Sequence, residues 1–430
     1  MLLVISDFFN ELNNNKLLKF GETFFYLGTL FLPWAFPISA IFFLISISIS
    51  IKYQGLNFFR DYWNLPLYIC SGIMIISSIK AYFSIPIKEL EFWDKSSALL
   101  YLFNWIPFFF LFKAAELYVK EISQRKLFAK ILILSTIPVL LSCILQYYFN
   151  IYGPFKFLLG LIVWYQKPLE QLGGVSGLFN NPNYAGMWLS ASLPFSFFLF
   201  RSNRKKIISL IFVCLYIFLT IHFVSLTNSR NSLLGIFIAS FFMFGQKMLF
   251  VSVGILFISY LIFLISNNFT IFNFNEFLRL IIPENISNKI FSFSSLNSYK
   301  FIRFEIWEKS LLIISRRPFL GWGAATFTTL YLTMKGDSNS LHTHSLPLEI
   351  AHISGIPAAI ILTTFVTFIF IKAFNKVFRD NKKPPNIDRA WLASTLIIIV
   401  SHLTDITYYD GKISILIWIL LSGIKKISLN

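Results

Sequence analysis

Charged residues are scarce in this chain. Of its 430 residues only 13% are Asp, Glu, Lys or Arg, whereas 56% are hydrophobic and 52 are Phe. A water-soluble domain of this length needs far more charge to cover its surface, and the apolar runs here recur at lengths that span a bilayer core. The composition excludes an ordinary soluble protein and indicates a polytopic helical membrane protein.

Signals of several other protein classes are also missing. The three cysteines, Cys70, Cys143 and Cys214, lie far apart in apolar runs, which predicts buried free thiols rather than a disulfide framework or a metal site. The first apolar stretch has no small-residue cleavage site after a short core, so we expect it to remain as membrane spans. There is no Gly-x-x-x-x-Gly-Lys phosphate loop, which argues against nucleotide use.

Apolar runs of spanning length predict an all-α bundle. The stretch 21–51 is long for one helix, and Pro33–Pro37 in its middle either kinks one span or turns a tight hairpin; we expect two short spans. The total is then about twelve transmembrane helices. The remaining predicted spans are 65–84, 98–118, 129–149, 183–200, 207–224, 230–245, 249–267, 346–372, 390–407 and 413–424.

Lysine and arginine set the expected orientation. The formal net charge is +17, but the basic residues form short clusters between spans rather than one soluble face, so nucleic-acid binding is not expected. Alternating the spans puts the clusters at 120–126, 201–206, 372–389 and 425–426 on one side. By the positive-inside rule that side is the cytoplasm.

Polar motifs interrupt the apolar pattern on the opposite side, in or beside the loops 150–182, 225–229, 268–345 and 408–412. The motifs are Gly177–Gly186, Ser229–Asn231, Arg303, and His342–Ser345 running into Glu349. Ionisable groups at the mouths of apolar helices are costly to desolvate and usually mark a binding or reaction site. The topology does not depend on these motifs, so their shared side predicts one extracytoplasmic site built from several loops.

The largest outward loop, 268–345, is about 80 residues long and too long to be a structureless connection. Within 299–315, Ile302, Ile306, Lys309 and Ile313 recur at helical spacing, which predicts an amphipathic helix near the membrane surface. Pro318 and Gly321–Gly323 should end that helix and turn the chain.

The polar blocks, taken together and in order, resemble the O-antigen ligase and polymerase superfamily. They are Gly-Leu-Phe-Asn-Asn-Pro-Asn-Tyr-Ala-Gly at 177–186, Ser-Arg-Asn-Ser-Leu-Leu-Gly at 229–235, the Arg303–Trp307 helix leading to Arg-Pro-Phe-Leu-Gly-Trp-Gly at 317–323, and His-Thr-His-Ser with Glu349 and Gly355. The likeness covers about 170–370. We therefore divide the chain into N-terminal transmembrane helices (1–170), an O-antigen ligase-like region (171–372) and C-terminal transmembrane helices (373–430).

The resemblance implies a metal-independent, cofactor-free glycosyltransferase with a GT-C-like fold in the inner (plasma) membrane of a bacterium. Its donor would be an oligosaccharide on a polyprenyl diphosphate such as undecaprenyl diphosphate, and its site would face the periplasm. The acceptor would be a glycolipid sugar in a ligase of lipopolysaccharide assembly, or another lipid-linked glycan in a polymerase. The cavity must open sideways to membrane lipid, because the isoprenoid tail stays in hydrocarbon.

Residue types agree with these roles. Arginine presents planar, permanently charged donors that match phosphate oxygens, so Arg230 and Arg303 are candidate clamps for the diphosphate. Histidine titrates near neutrality, so His344 is the candidate base for the acceptor hydroxyl, with His342 as the alternative. A zinc site is disfavoured, because Glu349 and His352 make no familiar ligand set with this pair.

Other predicted substrate-binding residues have a plain structural alternative. Asn181 and Asn183 either bind sugar hydroxyls or form a turn and helix cap, with Asn183 as the cap. Asp405, at the outer end of its span, and the polar pair Arg317 and Glu349 are further candidates for the same cavity. For Arg230 and Arg303 the structural alternative is a role as interface anchors alone. His222 and His402 lie inside spans and are expected to be satisfied core residues.

Two other functions fit a polytopic membrane protein. A solute or anion transporter would place its polar residues along a midplane pathway and would show internal repeats. A flippase for lipid-linked sugars would need charged residues within its spans. The sequence shows no clear repeat, and its charges gather at one face, so both are less favoured than a transferase.

Overall fold

The computed structural model describes residues 2–84, 90, 93–202, 207–245, 302–334, 340–379 and 385–429. The predicted span 249–267 and half of the loop that follows it, 268–301 and 335–339, lie outside the described residues. Within the described ranges, seven helical segments are long and apolar enough to cross a membrane, and strands are limited to one short hairpin. The prediction of a polytopic helical membrane protein is confirmed.

The N-terminal helices are α1 Leu2–Phe31, α2 Phe36–Gln54, α3 Leu65–Phe83, α4 Ser96–Leu100, α5 Ile106–Ala115 and α6 Ile122–Tyr148. The predicted hairpin is present, because the helix that ends at Phe31 is separated from α2 by only a tight turn. Pro37 is tolerated in the first turn of α2, where the missing N–H costs no helical hydrogen bond.

The middle of the chain begins with a hairpin of β1 Phe155–Phe157 and β2 Ile162–Trp164, which pair antiparallel. The helices that follow are α7 Leu169–Leu172, α8 Pro182–Ser202, α9 Ile207–Leu226 and α10 Arg230–Phe244. Helices α8 and α10 approach closely at Gly186, where an added Cβ would lie 2.7 Å from Ser232 Oγ. Small residues allow this kind of close helix contact in a membrane, where dispersion and polar contacts replace the hydrophobic effect.

The C-terminal helices are α11 Ile302–Arg316, α12 Phe327–Thr333, α13 Leu346–Ser354, α14 Ile356–Phe378, α15 Asn386–Thr404 and α16 Gly411–Leu429. Helix α15 packs against α8 and α10. Its Trp391 is fully buried, 4.9 Å from Phe128 and 5.7 Å from Phe195 between ring centroids. Aromatic packing of this kind fixes the bundle around α15.

The prediction of one continuous span over 346–372 is wrong, because the chain breaks at Gly355. That residue has φ +95°, and an added Cβ would lie 2.1 Å from Phe319 O. The break is stabilised by a backbone hydrogen bond from Ile356 N to Pro318 O at 2.7 Å. Helix α13, with 9 residues, is therefore too short to span a bilayer, and it lies between the site and α14.

The burial expected for the three cysteines holds for two of them. Cys70 and Cys143 are buried, but Cys214 is exposed. It lies on α9, whose apolar side chains Ile208, Ile211 and Leu215 are also exposed. In a membrane-spanning helix such a face is covered by lipid rather than protein, so an apolar run alone cannot say which thiols the protein encloses.

Charged residues in the described parts of the loops predicted to be cytoplasmic pair with one another at one end of the bundle. There Lys425 Nζ lies 2.6 Å from both Asp61 Oδ2 and Glu116 Oε1, and Arg125 Nε donates to Asp388 Oδ1 at 2.9 Å. The polar motifs predicted to face outward gather at the opposite end. The separation agrees with the alternation of the predicted topology.

Candidate functional site

The starts of α8 and α10 meet the end of α15 at the end of the bundle opposite the Lys425 and Arg125 ion pairs. The Asn183 amide donates from Nδ2 to Asp405 Oδ2 at 3.1 Å. Thr404, the last residue of α15, donates from Oγ1 to Asn231 Oδ1, also at 3.1 Å. These bonds join three polar segments that are more than 40 residues apart in sequence into one structure.

In the Asn181–Pro182–Asn183 block, the two asparagine side chains have different roles. Asn181 caps α8, because its Oδ1 accepts a hydrogen bond from Asn183 N at 2.8 Å and Pro182 occupies the first helical position. The prediction that Asn183 itself is the cap is wrong. Because Asn181 performs the capping, the Asn183 amide is free to hold Asp405.

The His342–His344 segment has a defined and strained backbone. Thr343 N donates to Glu349 Oε2 at 3.0 Å, and His344 N donates to His342 Nδ1 at 3.2 Å. His344 has φ +53°, a left-handed conformation that is uncommon for a residue other than glycine and is concentrated at functional sites. The two imidazole centroids are 4.2 Å apart.

His344 faces Asp405. Its Nδ1 lies 3.5 Å from Asp405 Oδ1, a distance suited to an ion pair but longer than a good hydrogen bond. The same oxygen accepts from Ile406 N at 2.9 Å, while Asn183 holds the other one. Burial raises the pKa of Asp405, but the contact with His344, the Ile406 N–H and the positive charge of Arg303 outweigh it and hold this pKa below its usual range. Asp405 is therefore a fixed negative charge beside the imidazole.

Burial shifts the pKa values of His342 and Glu349 in opposite directions, in each case towards the neutral form. Burial, with the neighbouring charges of His344 and Arg303, lowers the pKa of His342 to about 4, although Asp405 partly offsets them. Burial raises the pKa of Glu349 to about 7, although hydrogen bonds from Thr343 and the charge of His344 lower it. At neutral pH His342 is a neutral acceptor at Nδ1.

Arg230 and Arg303 are both exposed at helix starts. Arg230 is the first residue of α10, after the cap Ser229, whose side chain accepts from Ser232 N. Arg303 lies in the first turn of α11, and its charge acts on His342 and Asp405. Within the ranges that the structure describes, neither guanidinium has a carboxylate partner, so both are available to an anionic ligand.

The helix that carries Arg303 is the amphipathic helix predicted from sequence. Ile306 and Ile313 are buried, and Trp322 Nε1 donates to Ile313 O at 2.8 Å. The helix ends at Arg316, and the predicted turn follows, with the backbone N–H groups of Trp322 and Gly323 donating to the last carbonyls of α13. This turn anchors α11 to the short helix that follows the histidines.

Three other residues named in the sequence analysis have contact partners other than His344 and Asp405. The Arg317 guanidinium lies 4.1 Å from the Trp322 ring centroid, a cation–π contact that holds the turn. His222 bonds Tyr148 Oη at 2.8 Å, and His402 bonds Thr407 Oγ1 at 3.1 Å. Both histidines have partners, as expected for structural residues.

Sequence reasoning placed Asp405 in the same cavity but did not pair it with the histidines. It compared the histidine pair with Glu349 and His352, but His352 bonds Thr326 Oγ1 at 2.9 Å, and the structure supplies Asp405 instead. Ligand atoms of His342, His344 and Asp405 all lie within 4.8 Å of one another, a spacing that a metal ion could fit. The nearby positive charge of Arg303 opposes a cation there. No sequence signal pairs position 405 with 344, because 60 residues and three helices separate them.

The fold and site define a class: a polytopic helical membrane protein with arginines, a histidine pair and a buried carboxylate grouped at one end. Residues 215–363 match the family model described as O-antigen ligase, and this match confirms the resemblance to the O-antigen ligase and polymerase superfamily. The matched region includes Arg230, Arg303, His344 and Glu349 but not Asp405. No curated protein matches the chain.

Proposed function

We propose that this protein transfers a glycan from a polyprenyl diphosphate to an acceptor sugar, as an O-antigen ligase of lipopolysaccharide or surface polysaccharide assembly. One observation carries the proposal: His344, inside the region that matches the O-antigen ligase family, faces the carboxylate of Asp405 at 3.5 Å. A histidine oriented by a buried carboxylate is suited to general-base catalysis.

His344 is a better base than His342. His342 Nδ1 accepts the His344 N–H, so the neutral ring carries its proton on Nε2 and has no free lone pair for a substrate. His344 directs Nδ1 towards Asp405. When Nδ1 carries the proton, Nε2 is left to accept one from the acceptor. The low pKa of His342, about 4, also makes it the weaker base.

The transfer balances without an added reactant. His344 Nε2 takes the proton of the acceptor hydroxyl, and the hydroxyl oxygen bonds to the anomeric carbon of the donor sugar. The bond between that carbon and the diphosphate oxygen breaks, and the polyprenyl diphosphate leaves with both electrons. Asp405 stabilises the imidazolium that forms. The donor's glycosyl–diphosphate bond provides the driving force, so no nucleotide is required.

Arg230 and Arg303 are the proposed binding groups for the diphosphate. Guanidinium groups donate two parallel hydrogen bonds to phosphate oxygens, and their charge stabilises the negative charge that grows on the leaving group. The two guanidinium groups thus take the role that a metal ion has in many phosphate-dependent transferases. The mechanism is therefore proposed to be metal-independent, with His344 carrying the proton and Asp405 stabilising the imidazolium, and with none of these residues serving as a metal ligand.

An apolar cavity beneath the site suits the donor's hydrocarbon tail. It measures about 650 Å³ including its open mouth, and Leu346, Val366, Leu403 and Trp418 are among the residues that line it. Leu346 is two residues from His344, and half of the Leu403 side chain (52%) is exposed. The cavity thus connects the polar site with the lipid-facing surface, as lateral entry requires. We place the site on the periplasmic face of a bacterial inner membrane.

Deletion of the gene, followed by analysis of the cell's polysaccharide, tests the function. Loss of a ligase leaves long free chains on the carrier lipid and no transfer to the glycolipid. Loss of a polymerase, the alternative within this superfamily, leaves single repeat units instead. Unchanged surface and lipid-linked polysaccharide would contradict both and would favour a transporter.

A further inference from the structure

A second cavity opens at the same end of the bundle as the histidine site. It measures about 850 Å³ including its open mouth, and it lies between the α1–α2 turn, the end of β2, the start of α8 and the start of α16. Its walls come from 33–37, 161–165, 180–184 and 409–412. None of these segments falls within the 215–363 match, so this cavity is built by parts of the chain that the family likeness does not cover.

The walls of the cavity combine aromatic rings with charged groups. Trp34, Tyr165 and Tyr184 provide ring surfaces, and Asp410 and Lys412 provide a carboxylate and an ammonium group. A sugar ring has apolar C–H faces that pack on aromatic rings and hydroxyls at its edge that bond to charged acceptors and donors. A few polar groups converging in an otherwise aromatic pocket are typical of a small-ligand site.

Asp410 is fixed at the start of α16 and lines the cavity. Its Oδ1 accepts from Lys412 N at 3.0 Å, which caps α16. Burial raises the pKa of Asp410, although the charge of Lys412 and two backbone N–H groups lower it. The Asp410 carboxylate lines the cavity, where it can accept hydrogen bonds from the hydroxyl groups of a ligand.

The cavity is joined to the histidine site by two shared segments. Tyr184 follows Asn183, which holds Asp405, and Asp410 follows Asp405 by five residues on the same α15–α16 connection. A ligand with one sugar at His344 and further sugars beyond it can therefore extend along these segments into the second cavity.

We propose that this cavity is a saccharide subsite that binds a sugar of a glycan substrate, distant from the bond that forms. The identity of that substrate rests on the proposed transferase function, whereas the capacity to bind a saccharide does not. Glycan chemistry is shared by donor and acceptor, and the experiments below distinguish these two sources.

Transfer kinetics of Asp410→Asn and Tyr165→Ala test the subsite. Asparagine keeps the Oδ1 acceptor that caps α16, so the fold is retained while the charged acceptor is lost. We expect KM to rise about 10- to 100-fold, the effect of losing a hydrogen bond to a charged group, with a much smaller change in kcat. A rise in KM for the acceptor assigns the cavity to the acceptor glycan, and a rise in KM for the donor assigns it to the donor glycan.

Two matched controls lie on the same side of the bundle. Asp94 caps a turn in the same way, accepting from Ser96 N at 3.0 Å, but is not in the cavity. Tyr152 is in the loop before β1 and does not line it. Asp94→Asn and Tyr152→Ala should leave both KM values unchanged. Unaltered KM values for both substrates in Asp410→Asn and Tyr165→Ala, or an equal effect in the controls, would overturn the proposal.

Direct binding separates the subsite from the transferase function. Saturation-transfer NMR with lipid-free oligosaccharides, released from the producing cell's surface polysaccharide, should show binding to the wild type and loss of it in Tyr165→Ala. If binding follows this pattern but no transfer occurs, the proposed function is wrong and the subsite stands. If the wild type binds no oligosaccharide, or both proteins bind equally, the subsite is wrong, whether or not transfer is seen.

Discussion

The Asp405 carboxylate and the His344 imidazole lie 3.5 Å apart, and Asn183 fixes Asp405 from its other side at 3.1 Å. Three loops that the membrane topology separates thus meet in one arrangement. The sequence predicts only that Asp405 contacts substrate. Its position beside His344 Nδ1 favours a role in orienting the imidazole and stabilising its protonated form. Because it acts through His344, it is a positioning residue.

The first prediction follows from that pair. Asp405→Asn should lower kcat by about 10²- to 10⁴-fold, because the amide cannot stabilise the imidazolium, while the KM for the donor changes little. Steady-state kinetics of the purified variant would measure this. Asp94→Asn, in an exposed outer turn, is the control and should be unaffected. If the drop in kcat is accompanied by a clear drop in protein stability, Asp405 only holds α8 and α15 together.

The second prediction concerns the arginines. Arg230→Lys and Arg303→Lys should each lower transfer about 10- to 100-fold without changing the amount of protein in the membrane, because lysine keeps the charge but loses the fork that binds two phosphate oxygens. Arg316→Lys, at the exposed end of the helix that carries Arg303, is the matched control. Full transfer by both site variants would reduce these residues to interface anchors.

The third prediction concerns topology. In a protein without native cysteines, a cysteine at position 295 should react with a membrane-impermeant reagent in intact cells, and one at 203 should not. Both positions lie outside the described residues. Lys156→Cys, on the exposed outward hairpin, should also be labelled. Labelling at 203 but not at 295 would reverse the orientation and remove the site from the periplasm.

The fourth prediction uses the raised pKa of Glu349. With a pKa of about 7 in the folded protein, against 4.5 for an unperturbed glutamate, the folded state holds its proton more tightly. The stability this group contributes is therefore present below about pH 4.5 and is lost as the pH rises to about 7. The loss is at most about 3.5 kcal/mol, since one pKa unit corresponds to about 1.4 kcal/mol.

Glu349→Gln should remove that dependence, because the neutral amide keeps an oxygen for Thr343 N and needs no proton. The variant should unfold at a higher temperature than the wild type at pH 8, with the difference shrinking at pH 5. Glu170→Gln, at an exposed position, should show no such difference. An unchanged pH profile in Glu349→Gln would mean that Glu349 is ionised throughout.

Periodicity and charge predicted most of the architecture because bilayer thickness imposes long apolar helices. They located the hairpin at Pro33–Pro37 and the amphipathic helix around Ile306. They missed the break at Gly355, because it depends on the close approach of Phe319. The burial of Cys214 was mispredicted for a similar reason: lipid and protein neighbours select the same apolar side chains.

The site was predictable in its parts and not in its connections. Arg230, Arg303 and His344 stand out because polar groups are rare in such a chain. The partners of these residues do not stand out in the sequence, because the pairing of Asp405 with His344 and Asn183 is set by tertiary packing of α8, α10 and α15. The same holds for the choice between the histidines, which depends on a single backbone hydrogen bond from His344 N to His342 Nδ1.

The central claim is a metal-free transfer with His344 as the base. It is tested most directly by assaying the purified protein with a polyprenyl-diphosphate-linked glycan and a glycolipid acceptor, with and without EDTA. The wild type should be indifferent to EDTA, His344→Ala should lose transfer by about 10²- to 10⁴-fold, and His342→Ala should lose less. Inhibition by EDTA that zinc reverses would show that His342, His344 and Asp405 hold a metal, and robust transfer by His344→Ala would place the base elsewhere.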